Sequence, residues 1–235
     1  MFRLTRDGEV ARLLLDRPEA RNAVRARGWA ELARLVGGAA DARLLIVSGA
    51  GGAFCAGADL SDFPTFQHDE AARRRFREDM RAALDALAGL ALPTIALIDG
   101  PCFGAGVALA MACDLRIASP AARFAITPAK IGISYPQEDV HRLVALVGPG
   151  QAARLLFTAL PIDGVEAARI GLVELYDVAE GPIVDAILAN DGDSLAALKR
   201  AVGLGRRSDA QQDDIFDSLI GGPALTRRLE ALRRK

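Results

Sequence analysis

Apolar and polar positions repeat along this chain with two different periods, and the changes of period mark out its elements. Leu4 to Arg6 and Val10 to Asp16 read as two strands joined at Asp7-Gly8, a dipeptide suited to a hairpin turn. From Val24 to Val36 the spacing is helical, with Trp29, Leu32, Leu35 and Val36 on one side, and Gly37-Gly38 stops the helix. Leu44-Leu45-Ile46-Val47 has no polar alternation, the pattern of a strand covered on both faces. A glycine-rich stretch from Gly49 to Leu60 leads into a long amphipathic helix predicted from Asp69 to Leu90. Thr94 to Ile98 is a second buried strand, Asp99-Gly100-Pro101 turns the chain, and Val107 to Ala112 reads as a tightly packed helix. Leu115 to Ala118 and Phe124 to Ile126 are further strands. From Glu138 onward the pattern is helical, apart from a strand around Val173 to Val178. Alternating strands and helices followed by a helical tail make the chain α/β, with residues 1–180 as its core and 181–235 as a helical C-terminal region.

Composition narrows the function classes. At 235 residues the chain can bury a substantial core. Its formal net charge of −1 offers nothing to attract nucleic acid or an anionic membrane surface. The basic runs Arg73-Arg74-Arg75 and Arg233-Arg234-Lys235 sit among helix formers and read as solvated helix faces. The longest uncharged apolar stretch, Gly100 to Cys113, is broken by Pro101 and falls short of the ~18 apolar residues a membrane span needs. Cys55, Cys102 and Cys113 are odd in number and lack CxxC spacing, which argues against disulfides or zinc and fits a reducing compartment. With only His68 and His141, no metal centre is expected. Met1 to Asp7 has no apolar signal core, so the expectation is a cytoplasmic protein.

The chemistry is concentrated in glycine-rich turns. Gly49-Ala50-Gly51 and Gly104-Ala105-Gly106 each contain a GxG. Neither completes a dinucleotide fingerprint, since Phe54 and Leu109 stand where the third glycine belongs, and neither ends in the Lys-Ser/Thr of a phosphate loop. Ala56-Gly57-Ala58-Asp59 and Gly104-Ala105-Gly106 make better sense together. Each places small residues after an apolar strand, and the second opens a helix whose free N–H groups favour negative charge. Two backbone N–H groups converging from separate loops would bind a thioester oxygen and stabilise its enolate; losing one such donor typically costs ~3 kcal/mol of transition-state stabilisation.

Three motifs in order carry a family resemblance: Asp16-Arg17-Pro18-Glu19-Ala20-Arg21-Asn22-Ala23, Phe54-Cys55-Ala56-Gly57-Ala58-Asp59-Leu60, and Ile98-Asp99-Gly100-Pro101-Cys102-Phe103-Gly104-Ala105-Gly106 running to Cys113-Asp114. Together, over roughly residues 5 to 178, they resemble the crotonase (enoyl-CoA hydratase/isomerase) family. The resemblance implies a spiral of ββα units with C-terminal helices that build a homotrimer or a dimer of trimers. It implies an acyl-CoA substrate, coenzyme A being part of that substrate, with no separate cofactor. It places the carbonyl-binding amides on Ala58 and Ala105. CoA contacts are implied for Arg21, Ala23, Ala56, Asp59 and Leu60, with Phe103 and Gly104 near the acyl group. The Phe216 to Pro223 stretch starts like the family's C-terminal ending, and the residues from Ala224 to Lys235 depart from it.

The same resemblance shows what is missing. A hydratase uses two carboxylates, one to activate water and one to protonate the α-carbon. The matching positions here are Ala108 and, counting without a gap from Phe124 to Gly132, Pro128. Candidate substitutes are Tyr135, Glu138 and Asp139. Thr127-Pro128-Ala129-Lys130-Ile131-Gly132-Ile133-Ser134-Tyr135 resembles a stretch of the methylmalonyl-CoA decarboxylase branch in which a tyrosine lines the acyl pocket. The expectation is therefore a lyase or isomerase that stabilises a thioester enolate. A (methyl)malonyl-CoA-type decarboxylase and a non-catalytic acyl-CoA-binding homologue stand as the alternatives.

Overall fold

A computed structural model describes residues 1–204, 209–220 and 222–233. Arg234 and Lys235 of the expected basic helix face, and Gly221 of the Phe216 to Pro223 stretch, lie outside the described residues. The chain opens with β1 (Phe2–Asp7) and β2 (Val10–Leu15), antiparallel as the turn at Asp7-Gly8 requires. α1 (Gly28–Gly37) follows, then β3 (Leu44–Gly49), α2 (Phe63–His68), α3 (Glu70–Ala88) and β4 (Thr94–Ile98). A short β5 (Pro101–Phe103) leads into α4 (Ala105–Met111), β6 (Leu115–Ala118) and β7 (Arg123–Ala125). The last part holds α5 (Gln137–Thr158), β8 (Ile162–Asp163), α6 (Gly164–Arg169), β9 (Leu175–Tyr176), α7 (Glu180–Leu188), α8 (Gly192–Leu204), α9 (Ala210–Ile220) and α10 (Pro223–Arg233).

Six strands form one sheet in the order β1-β2-β3-β4-β6-β9, parallel from β2 onward. The unbroken apolar run of β3 follows from its place in the middle. Leu45 and Val47 pack into the larger core with α1, α3 and α4, while Leu44 and Ile46 face a second cluster closed by Val184 of α7. Burying a side chain of this size stabilises by about 1.5–3 kcal/mol, so a strand covered on both sides has no position for a polar residue. Among the described residues no helix is long and apolar enough to cross a membrane.

Of a second sheet, β5-β7-β8, the sequence pattern shows only β7, as the strand at Phe124 to Ile126; β5 and β8 are three and two residues long, too short to carry a period. The start of α1 was not legible either. The chain at Val24 is extended rather than helical: its N–H donates to the Gly57 carbonyl (2.8 Å) and its carbonyl accepts from the Asp59 N–H (2.9 Å). A long-range bridge takes these residues out of the helix that their spacing suggests. α3 starts one residue later than expected, because Asp69 is its N-cap and accepts from the Ala72 N–H at 2.9 Å.

Candidate active site

Two backbone bridges bring the glycine-rich turns together. Cys55 pairs in parallel with Cys102 of β5: its N–H donates to the Pro101 carbonyl and its carbonyl accepts from the Phe103 N–H. Gly57 then diverges at φ +103, a backbone conformation that side chains rarely adopt. It needs the space as well. A Cβ there would lie 2.8 Å from the Phe103 oxygen and 3.2 Å from the Ala105 nitrogen. That second distance places the Gly57–Ala58 turn against the start of α4.

Among the described residues, the two amides picked out from the sequence have no protein partner. In a parallel bridge the partner engages the residues on either side, so Val24 binds Gly57 and Asp59 while the Ala58 N–H points away from it. Ala105 is the first residue of α4, where no intrahelical acceptor exists. Among the described residues, neither N–H donates a hydrogen bond, and both residues line one cavity of about 850 Å³. Its walls are mainly apolar, formed by Leu60, Phe63, Phe76, Met80, Ile131 and Ile133. Phe76 stacks on Phe66, ring centroids 4.9 Å apart, and fixes the α2–α3 side of the wall.

Of the residues given CoA or acyl contacts by resemblance, Ala56, Leu60 and Gly104 line this cavity, whereas Arg21, Ala23, Asp59 and Phe103 stand outside its lining. The carboxylate of Asp59 is engaged elsewhere: it ion-pairs with Arg17 and accepts from the Ser61 N–H at 3.0 Å. Burial alone would raise its pKa, but those bonds outweigh it and hold the group at about 2. Lys130 and His141 are exposed and outside the lining. The three cysteines are buried and free, with burial pushing Cys55 and Cys113 up to about 12, so none is a thiolate.

Ala108 and Pro128, where the resemblance expects carboxylates, both line the cavity. The ionisable groups facing it come from other elements. Tyr135 is half-buried and donates its hydroxyl to the Gly104 carbonyl at 3.0 Å. Burial, and then the nearby charge of Asp139, push the phenol well above the usual tyrosine range. Glu138 and Asp139 occupy the first turn of α5 and differ sharply. The Glu138 side chain is 61% exposed, and its carboxylate lies 4.0 Å from Arg81. Asp139 is fully buried, with Oδ1 accepting from Arg81 and Arg142, both at 3.3 Å, and Oδ2 without a hydrogen-bond partner among the described residues. Burial raises its pKa even though both arginines pull the other way.

Sequence reasoning missed three groups. Arg81 and Arg142 belong to no motif, and only packing brings both to the Asp139 carboxylate. Asn22 was quoted only as part of a motif, yet it is buried and binds three backbone groups: Nδ2 donates to the carbonyls of Ala50 (2.8 Å) and Ala53 (2.7 Å), and Oδ1 accepts from the Arg17 N–H (2.9 Å). An asparagine four residues after Pro18 was the available signal, since asparagine tolerates the left-handed φ of +59 found there.

The chain matches the enoyl-CoA hydratase/isomerase family over residues 5–187. A short-chain-enoyl-CoA hydratase from Clostridium acetobutylicum is 34% identical over 234 residues, covering 95% of this chain and 88% of that protein. An enoyl-CoA hydratase/isomerase family protein from Hyphomonas neptunium superposes with a TM-score of 0.91 at 34% identity, over 99% of this chain and 94% of the other. An enoyl-CoA hydratase homologue from Thermobifida fusca, crystallised with acetoacetyl-CoA, gives a TM-score of 0.83 at 31% identity over 97% and 95%. The fold expected from the three motifs is the fold of these neighbours.

Proposed function

The chain belongs to the enoyl-CoA hydratase/isomerase family, and from that premise we propose that it is an enzyme acting on acyl-CoA thioesters. The thioester oxygen sits between the N–H groups of Ala58 and Ala105, and the acyl chain lies along the apolar cavity. The observation that carries this reading is the pair of unpartnered amides facing one cavity from two separate turns. Donors already in place stabilise the enolate without reorganising when charge develops on the oxygen.

With alanine and proline at the expected acid positions, proton transfer falls to the first turn of α5. Glu138 is the carrier, because its side chain is accessible at the cavity. Asp139, enclosed and held by two arginines, anchors Arg81 beside it. A single carrier suits shuttling one proton along an enoyl chain better than adding water, which uses two. Decarboxylation is the second reading. Its support is that CO2 loss needs enolate stabilisation and few acid–base groups, which matches Ala108 and Pro128 in the lining. The exposed Leu198, Phe216 and Ile220 on α8 and α9 support the homotrimer that the resemblance implies for the C-terminal helices.

The test is α-carbon chemistry in D2O across 2-enoyl-, 3-enoyl- and malonyl-CoA, read by mass spectrometry. Deuterium uptake with double-bond migration supports the isomerase, and CO2 release from malonyl-CoA supports the decarboxylase. Glu138→Gln is expected to lower turnover roughly 10²-fold or more while thioester binding persists. Binding of every thioester with neither exchange nor conversion would leave a non-catalytic acyl-CoA carrier.

A further inference from the structure

We propose that Tyr135 is a positioning residue: its hydroxyl fixes and polarises the Gly104–Ala105 peptide, so that the Ala105 N–H is presented to the thioester oxygen. The proposal rests on the reading of Ala58 and Ala105 as carbonyl-binding amides, and it gives Tyr135 a task other than carrying a proton.

A peptide unit is planar and trans, so its C=O and N–H point in opposite directions. Whatever grips the Gly104 oxygen therefore aims the Ala105 hydrogen. Three donors converge on that oxygen: the Tyr135 hydroxyl at 3.0 Å, the Val107 N–H at 2.9 Å and the Ala108 N–H at 3.3 Å. Val107 and Ala108 belong to the same helix as Ala105 and move with it. Tyr135 lies between the Pro128–Ile131 turn and α5, so it alone of the three ties the peptide to another part of the molecule.

That tie matters because of Gly104. Its φ of +50 and ψ of −119 match the first central position of a type II′ turn, which glycine alone occupies freely. The same freedom means that the dihedrals of Gly104 hold the plane of the following peptide only loosely. An outside hydrogen bond supplies the restraint. It also acts electronically, since an O–H donated into a carbonyl polarises the amide and strengthens its N–H as a donor. Burial keeps the phenol protonated, as this task requires.

The experiment uses the CoA thioester of 4-(dimethylamino)cinnamic acid, a push–pull chromophore whose absorption moves to the red as its carbonyl is polarised. The full chain and its Tyr135→Phe variant are titrated with it, and the spectrum at saturation is recorded together with Kd. The wild type is expected to shift the band to the red. Tyr135→Phe is expected to bind within about threefold of the same Kd, with a visibly smaller shift. On whichever thioester the enzyme turns over, kcat falls roughly three- to tenfold at unchanged KM, the effect of one neutral hydrogen bond. Because a variant can fail to fold, 3-fluorotyrosine at position 135 gives an independent reading: a stronger donor enlarges the shift.

An unchanged shift in Tyr135→Phe, or no response to fluorination, overturns the positioning role and leaves the two-amide reading standing. If the wild type binds the chromophore without any red shift, the two-amide reading itself fails and the proposal falls with it. A collapse of kcat by several orders of magnitude with the shift intact would make Tyr135 a proton carrier instead, against the proposal.

Discussion

The side-chain amide of Asn22 lies 2.7 Å from the carbonyl oxygen of Ala53, in a place that water does not reach. Together with its bonds to Ala50 and to the Arg17 N–H, this makes one buried side chain the clasp between the N-terminal Arg-Pro segment and the loop entering the first glycine-rich turn. The Arg21 carbonyl continues the clasp by accepting from the Ala56 N–H at 2.9 Å, two residues before Ala58. The amide at Ala58 is thus held by residues more than thirty positions earlier in the chain.

Replacing Asn22 by alanine strands the buried Ala53 carbonyl, the part-buried Ala50 carbonyl and the Arg17 N–H, and places alanine at a left-handed φ. The expected cost is about 2–4 kcal/mol, read as a lowered urea midpoint. Thioester affinity falls as well, because the loop carrying Ala58 loses its anchor.

Gly57→Ala tests the close approach of the two turns. The new methyl group would press on the Phe103 carbonyl and crowd the Ala105 nitrogen, moving the donors apart. Turnover is expected to fall roughly 10²- to 10³-fold, as when one such donor is lost, while circular dichroism stays close to that of the wild type.

Stability should have an acid limb that depends on Asp59. Its folded pKa of about 2 lies below the ordinary value, so it contributes stability above the unfolded pKa, and that contribution is lost as pH falls through the folded one. The loss runs from roughly pH 4 down to pH 2 and amounts to about 2 kcal/mol. In Asp59→Asn this part of the pH–stability curve should be shallower; a curve parallel to the wild type would sink the assignment.

Asp139 has the opposite sign. With its pKa raised by burial, it binds a proton more readily in the folded state than in the unfolded one, so its contribution to stability falls as pH rises from the unfolded value toward the folded value. Asp139→Asn removes that slope but leaves Arg81 and Arg142 without their shared acceptor. Urea unfolding at pH values from roughly 4 upward should show less loss of stability with rising pH in the variant than in the wild type.

Lys199 on α8 donates to the Leu92 carbonyl at 2.9 Å and pairs with Asp114 at 2.8 Å, beside the Thr94 hydroxyl and N–H that bind the same carboxylate oxygen. This joint docks the C-terminal helices onto the sheet. Lys199→Met should cost about 1–3 kcal/mol and increase hydrogen exchange across residues 192–204 ahead of the rest of the chain.

The sequence by itself determined most of the sheet and the membership of the family. The run Leu44 to Val47, the strand at Thr94 to Ile98 and the helix after Asp69 are each dictated by local patterns of burial and capping that neighbours in sequence set. The motifs likewise fixed the family and singled out Ala58 and Ala105, because small residues at those places leave room for a ligand against the backbone. What the tertiary structure decided are relations between residues that no period encodes. Val24 leaves its helix to bridge Gly57 and Asp59; Cys55 lies beside Cys102; Tyr135 reaches Gly104. Glu138 and Asp139 are adjacent acids in one helical turn, and only packing makes one accessible and encloses the other. Local patterns report how much water each residue avoids, whereas the direction of a single N–H or carboxylate is set by partners dozens of residues away.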